Sequence, residues 1–242
     1  MDWVERKAVY NEAFFTEQCP IGSQGVADED SAKSVAEWIL SFCNSPGKVL
    51  DCGCAIGKLV LGFHETGVEI VGFDLSSFAI EHAIDAVKDH ILLLDCALER
   101  LPYADGYFDL SIAFDFFEHQ DDEHIETVIG EICRVTSGNI LIRQPFTKFN
   151  VPISEREGLI KSFNSLSHKE RLALIDNILG ITTSVPDMDC PFHPQERGRE
   201  FFIEKFTNFG FHEYDLDEDA YVFPNPASVC SFNCLYLERN VI

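Results

Sequence analysis

The chain has 242 residues, 46% of them hydrophobic and 21 of them phenylalanine, enough for one α/β domain with a large core and room for an inserted subdomain. No apolar run approaches the roughly 20 residues of a membrane helix, and Met1-Asp2-Trp3-Val4-Glu5-Arg6 lacks the apolar stretch of a signal peptide, so a cytoplasmic protein with no membrane partner is expected. The net charge of −23, from 41 acidic against 18 basic side chains, repels phosphate backbones and argues against a nucleic-acid partner. The nine cysteines are an odd count, and neither Cys52 with Cys54 nor Cys230 with Cys234 has Cys-x-x-Cys spacing, so buried reduced thiols and no metal are expected.

Tyr10, Phe14 and Phe15 fall at helix-like spacing and read as packed surface ahead of a loop from Gly22 to Gly25. A helix follows within an N-terminal segment, 1–45: Asp28, Glu29 and Asp30 load its start, Val35, Trp38, Ile39 and Phe42 recur at i, i+3, i+4 and i+7, and Asn44, Pro46 and Gly47 end it. Lys48-Val49-Leu50-Asp51-Cys52-Gly53-Cys54-Ala55-Ile56-Gly57 then reads as a strand and a tight turn, with an amphipathic helix from Lys58 to Thr66 directly behind it. Gly53, Ala55 and Gly57 supply the small residues that let the backbone bend and a ligand lie close. The stretch is a poor dinucleotide fingerprint, because counting from Gly53 puts Ala55 and Lys58 where the second and third glycines belong. Asp51 at the strand end would repel a pyrophosphate, whereas it suits a ligand with a cationic amino group and no phosphate, such as S-adenosylmethionine.

Val-Leu-Asp-Cys-Gly-Cys-Ala-Ile-Gly resembles the first motif of the class I S-adenosylmethionine-dependent methyltransferases, with Ala55 standing where that family has glycine. The resemblance implies an α/β, Rossmann-like fold: a seven-stranded, mostly parallel sheet between helices, its last strand antiparallel. It implies S-adenosylmethionine as cofactor, Asp51, Gly53, Cys54, Ala55 and Gly57 as the turn against it, and Tyr10 as a contact from a segment folding over it. An Ala55→Gly change is expected to be tolerated with a modest entropic loss.

Val68 to Phe73 reads as a second strand ending at Asp74, with Leu75 beside it, 23 residues beyond Asp51. That interval, with a helix between, places an acid beside a ribose. The competing role for Asp74 is turn formation, since Ser76 and Ser77 cap a helix expected from Phe78 to Lys88. A third strand, His90 to Leu94, ends at Asp95 and Cys96, which the family sets against the adenine. Leu101 to Leu110 is close to the family's loop into a fourth strand, Leu110 to Phe114. That strand brings Phe114 to the cofactor edge and delivers Asp115, Phe116, Phe117, Glu118 and His119 there. A helix from Asp121 to Val135, closed by Thr136-Ser137-Gly138, leads to a fifth strand, Asn139 to Arg143, and the matched motifs span 48–146.

Residues 146–194, with helices expected at Glu155 to Phe163 and His168 to Leu179, read as a helical substrate cap inserted after the fifth strand of a single 1–242 domain. A helix from Glu196 to Phe209 and strands Phe211 to Leu216 and Ser228 to Leu237 complete the core. Methyl transfer from a sulfonium needs alignment, exclusion of water and, for a hydroxyl or ammonium acceptor, loss of a proton. His119 and His193 are the candidate bases, each weighed against a plain structural histidine bonded to backbone. The expected activity is methyl transfer to an oxygen or nitrogen of a small-molecule acceptor by a monomer or homodimer. The alternatives are a protein methyltransferase with an open acidic groove and a non-catalytic binding module that kept the pocket. A dehydrogenase is disfavoured by the glycine count.

Overall fold

The computed structural model describes residues 8, 10–12, 14–15, 29–143, 197–214 and 234–240. The expected cap at 146–194 and His193 lie outside them. In chain order the described elements are α1 (Glu29–Phe42), β1 (Lys48–Cys52), α2 (Lys58–Thr66), β2 (Glu69–Asp74), α3 (Ser77–Glu81), β3 (Ile91–Leu93), β4 (Phe108–Phe114), α4 (Ile125–Val135), β5 (Thr136–Arg143), α5 (Arg199–Asn208), β6 (Phe211–Glu213) and β7 (Cys234–Arg239). Seven strands form one sheet in the order β3-β2-β1-β4-β5-β7-β6. β1 to β5 pair in parallel, and β7 runs antiparallel to both β5 and β6. This is the Rossmann-like arrangement expected, with the late strand reversed.

The central strands bury both faces, as period-two alternation requires when helices cover each side. Val49, Leu110, Ile112, Leu141 and Tyr236 pack with α1 and α2 residues such as Val35, Ile39, Val60 and Phe63. Leu50, Ile140, Ile142, Leu235 and Leu237 pack on the other face with Val128, Ile129 and Ile132 of α4 and Phe202 and Phe206 of α5. No helix among the described residues is long and apolar enough to cross a membrane.

Among the boundaries that differ from the periodicity reading, three have a cause in the packing and hydrogen bonding. The helix expected to Lys88 stops at Glu81, because the chain turns back so that the Ile84 N–H donates to Ile56 O at 3.0 Å and Val87 and Ile91 pack over Gly57. The helix expected from Asp121 begins at Ile125, with Asp121 Oδ1 accepting from the His124 backbone N–H at 3.0 Å in the turn before it. Thr136-Ser137-Gly138 does not cap α4 but opens β5 directly. There Thr136 Oγ1 donates back to Ile132 O at 2.6 Å, and Gly138 crosses so near β4 that a Cβ would lie 2.3 Å from Asp109 O.

The close approach of α1 to α2 rests on Gly62, where a Cβ would lie 2.2 Å from the backbone oxygen of Ala32. A methyl there meets backbone, which cannot rotate away. Gly62→Ala should therefore destabilise the fold by about 1–3 kcal/mol through overpacking, read as a lower urea midpoint at unchanged m-value. A midpoint equal to wild type would show that α1 moves freely.

Candidate active site

β1 ends at Cys52, and the amides of Gly53 and Cys54 both donate to Phe73 O of β2, at 2.9 and 3.0 Å. The Gly57 N–H then donates to Cys54 O at 2.9 Å and closes the turn. Alternate residues of the turn are left-handed: Gly53 at φ 72°, Ala55 at 48° and Gly57 at 84°. The glycines serve the protein's own packing as well as any ligand, since a Cβ on Gly53 would lie 2.6 Å from the Phe116 ring and one on Gly57 2.4 Å from Ile91 Cδ1. Cys54 is buried against Gly72, and burial pushes the thiols of Cys52 and Cys54 well above their usual range, which marks them as packing residues and not nucleophiles.

Asp51 is 4% exposed, and burial first, then the charge of Asp74, pushes its carboxyl up to about 7. Asp74 joins three elements. Its Oδ2 accepts from Ala55 N at 2.9 Å and its Oδ1 from Ser76 N at 2.8 Å. Burial raises this carboxyl too, against the opposing effect of the amides of Ser76, Ala55 and the adjacent Leu75. Ser76 caps α3 by accepting from Ala79 N at 3.2 Å and donates to Tyr10 O at 2.6 Å. The N-terminal segment is thereby moored beside the turn, where Phe14 and Phe15 pack with Ile56 and Ala79. Asp74 thus stands at the end of β2 and fills the turn-forming role that was weighed against its ribose reading.

Asp95 is 2% exposed and its Oδ1 accepts from Ala97 N at 3.0 Å, while Cys96 is buried in the core beside it. Phe114 faces the α1–α2 side of the sheet, its ring 4.4 Å beneath the guanidinium of Arg143. The His119 ring sits edge-on to Tyr10 and Phe14, with centroids at 5.6 and 6.0 Å, and the Tyr10 hydroxyl donates to His119 O at 3.5 Å. Tyr10 and His119, 109 residues apart, therefore share one corner of the sheet edge. Beside it, Arg197 donates to Gln120 O at 2.9 Å and to Asp122 Oδ1 at 2.7 Å, fastening the chain before α5 to the loop after β4.

The motif reading brings Asp115 and Glu118 to this edge and misses Arg143, which pairs with Asp115 there. Asp115 follows β4 at φ 50°, its N–H donates to Arg143 O at 2.7 Å, and its Oδ2 accepts from Arg143 Nη2. The Arg143 side chain is 1% exposed and that of Asp115 36%. Glu118 is 4% exposed; burial and the charge of Asp115 hold its carboxyl well above the usual range, opposed by Arg143. The available signal was a lone basic residue closing the apolar strand Asn139-Ile140-Leu141-Ile142-Arg143.

Two outcomes follow from the turn. Ala55 holds a conformation that costs an L-residue about 1–2 kcal/mol, so Ala55→Gly should stabilise the fold by about 1 kcal/mol in urea denaturation, where spacing alone suggested a small loss. A lower midpoint would mean that the turn carries no such cost. Asp51 is raised above its unfolded value, so its contribution is fully present below about pH 4 and is lost as pH rises through about 7, at no more than about 1.4 kcal/mol per pH unit. Asp51→Asn should flatten that part of the stability–pH curve of the ligand-free protein; an unchanged slope would assign it to other groups.

Comparison with known proteins adds to this geometry. Residues 49–139 match the family described as "Methyltransferase domain". A sarcosine/dimethylglycine N-methyltransferase of Halorhodospira halochloris is 29% identical over 154 residues, 59% of this chain and 53% of that protein. A magnesium-protoporphyrin O-methyltransferase of Synechocystis is 24% identical over 164 residues, 64% of this chain and 70% of that protein. A ubiquinone biosynthesis O-methyltransferase of Albidiferax ferrireducens is 32% identical over 92 residues, 36% of each chain. The matches thus span 53%, 70% and 36% of the length of these three curated relatives. The crystal structure of the Synechocystis magnesium protoporphyrin IX methyltransferase with bound S-adenosylhomocysteine superposes with a TM-score of 0.60 at 15% identity, over 99% of this chain and 100% of that one, a likeness of fold. Motif, strand order and matched domain agree: residues 49–139 match a methyltransferase domain, and the sheet has the Rossmann-like fold of the class I methyltransferases.

Proposed function

We propose that this protein transfers the sulfonium methyl group of S-adenosylmethionine to a nitrogen or oxygen of a small-molecule acceptor. One observation carries the reading: β1 to β4, four parallel strands, bring Asp51, Asp74, Asp95 and Asp115 to one edge, around a left-handed turn tied to β2 by Asp74. An acidic edge, with Asp51 and Asp95 buried in it, fits a nucleoside that carries a cationic amino acid, and it repels one that carries phosphates. The curated relatives support a small acceptor, since those proteins are named as methyltransferases of sarcosine and dimethylglycine, of ubiquinone biosynthesis and of magnesium-protoporphyrin.

On this reading Asp51 faces the donor's ammonium and Asp74 its ribose hydroxyls, while Asp95 and Cys96 bound the adenine. Gly53, Cys54, Ala55 and Gly57 form the floor, with Leu75 and Phe114 at its sides. Bound S-adenosylmethionine supplies an electrophilic methyl group with a neutral thioether as leaving group. The protein aligns an acceptor with it, excludes water and disposes of a proton. Tyr10, moored through Ser76, covers the turn and orders the His119 corner. The segment 146–194, which follows β5 in the sequence, is assigned to shaping the acceptor site.

Titration calorimetry with S-adenosylmethionine tests the reading. Asp74→Ala removes acceptors for the ribose and also frees the amides of Ala55 and Ser76 that arrange the floor. With charge-assisted bonds at about 1.5–3 kcal/mol each, affinity should fall at least tenfold. A folded variant with wild-type affinity would reduce Asp74 to a helix-start residue. No binding to the wild type would end the proposal.

A further inference from the structure

Resting on the reading just given, we propose that residues 10–12 and 14–15 form a strap across the donor site, and that the methyl group of Ala55 is the catch that sets how fast the donor and its product exchange. β1 lies between β2 and β4 in the sheet, and Tyr10 is tied beyond the ends of both neighbours. Its backbone oxygen accepts from Ser76 Oγ after β2 at 2.6 Å, and its hydroxyl donates to His119 O after β4 at 3.5 Å. The residue therefore bridges the end of β1, where the Gly53–Gly57 turn lies. The strap has internal order of its own: Phe15 N donates to Asn11 O at 3.4 Å and Phe14 N to Asn11 Oδ1 at 3.3 Å, and Phe14 and Phe15 are both buried. A ligand seated on the turn leaves only when this bridge lifts.

The catch follows from a conformation that glycine would hold more easily. Ala55 sits at φ 48°, in the left-handed region that disfavours a Cβ, and its N–H is fixed there by Asp74 Oδ2. Its methyl group packs on the cluster of Phe14, Phe15, Ile56 and Ala79, two of whose four members belong to the strap. Phe15 also stacks on Phe78 of α3, with ring centroids 5.8 Å apart. Gly53 and Gly57, the other left-handed residues of the turn, have Phe116 and Ile91 where a side chain would go, so both are closed to the strap. Of the three, position 55 alone carries a side chain, and that side chain meets the cover. A methyl group held there by a fixed amide resists lifting of the strap whether the site is full or empty. The catch therefore slows entry and exit alike, which marks a gate and not a ligand contact.

The test uses the full chain with S-adenosylhomocysteine as the probe. Release is timed by chasing labelled ligand with an excess of unlabelled ligand, association by stopped flow, and lifting of the strap by hydrogen exchange at the amides of Asn11, Glu12, Phe14 and Phe15. Ala55→Gly should speed release and association together, each about fourfold for the loss of one buried methyl group, with Kd held within about twofold. Its urea midpoint should rise at the same time, whereas a turn that was merely weakened would lower it. Tyr10→Ala, which removes the ring and hydroxyl that reach His119, should speed release about tenfold or more. Adding Ala55→Gly to it should change little further, because both act on one element. Exchange of the strap amides should be faster in both variants. Unchanged release in Tyr10→Ala, or unchanged or slower release in Ala55→Gly, overturns the inference and leaves the methyltransferase reading standing. A wild type that binds neither S-adenosylmethionine nor S-adenosylhomocysteine ends that reading and this inference with it. Should Tyr10→Ala not fold, Ala55→Gly decides.

Discussion

The carboxylate of Asp74 is the contact on which the site's geometry depends. By accepting from Ala55 on one side and Ser76 on the other, it fixes the turn after β1 to the end of β2. Ser76 passes that constraint on, capping α3 and holding the backbone of Tyr10. Asp74 thus fixes floor and flank with two hydrogen bonds, and Ser76 carries the hold to the N-terminal cover with a third. A carboxylate in this position can do so because backbone N–H groups meet its charge where water does not. Its burial also couples it to Asp51, whose own carboxyl is raised partly by the proximity of Asp74.

The parallel core was legible in the sequence because its strands are apolar runs that stop at acids, a pattern that buried parallel strands impose. Asp51, Asp74, Asp95 and Asp115 could be counted off one strand at a time, and the sheet places all four at one edge. Helix ends were less legible. Phe78 to Lys88 carries helical spacing, yet the hydrogen bond from Ile84 to Ile56 O and the packing of Val87 and Ile91 over Gly57 turn the chain away after Glu81. Thr136-Ser137-Gly138 has the composition of a helix stop, and there pairing with β4 overrides local propensity and extends β5 by three residues beyond the expected start at Asn139.

Within the site, the sequence pattern located the small residues and left their reasons open. Gly53 and Gly57 are small because Phe116 and Ile91 occupy the space beside them, contacts between residues far apart in the chain. Ala55 was legible as a substitution for glycine, while its left-handed backbone, which makes that substitution costly, was not. The pairing of Arg143 with Asp115 was hidden for a similar reason: it joins the ends of β4 and β5, and only the register of Phe114 on Arg143 sets them side by side.

The same charge logic runs through both halves of the edge. At the β1–β2 end Asp51 is buried with no cation among its perturbing groups, and its carboxyl stays largely protonated until about pH 7. At the β4–β5 end one guanidinium serves two carboxyls, and Glu118 is kept neutral by burial and by the charge of Asp115. In each half burial thus holds one carboxyl uncharged, Asp51 below about pH 7 and Glu118, while Asp115 and Arg143 balance each other.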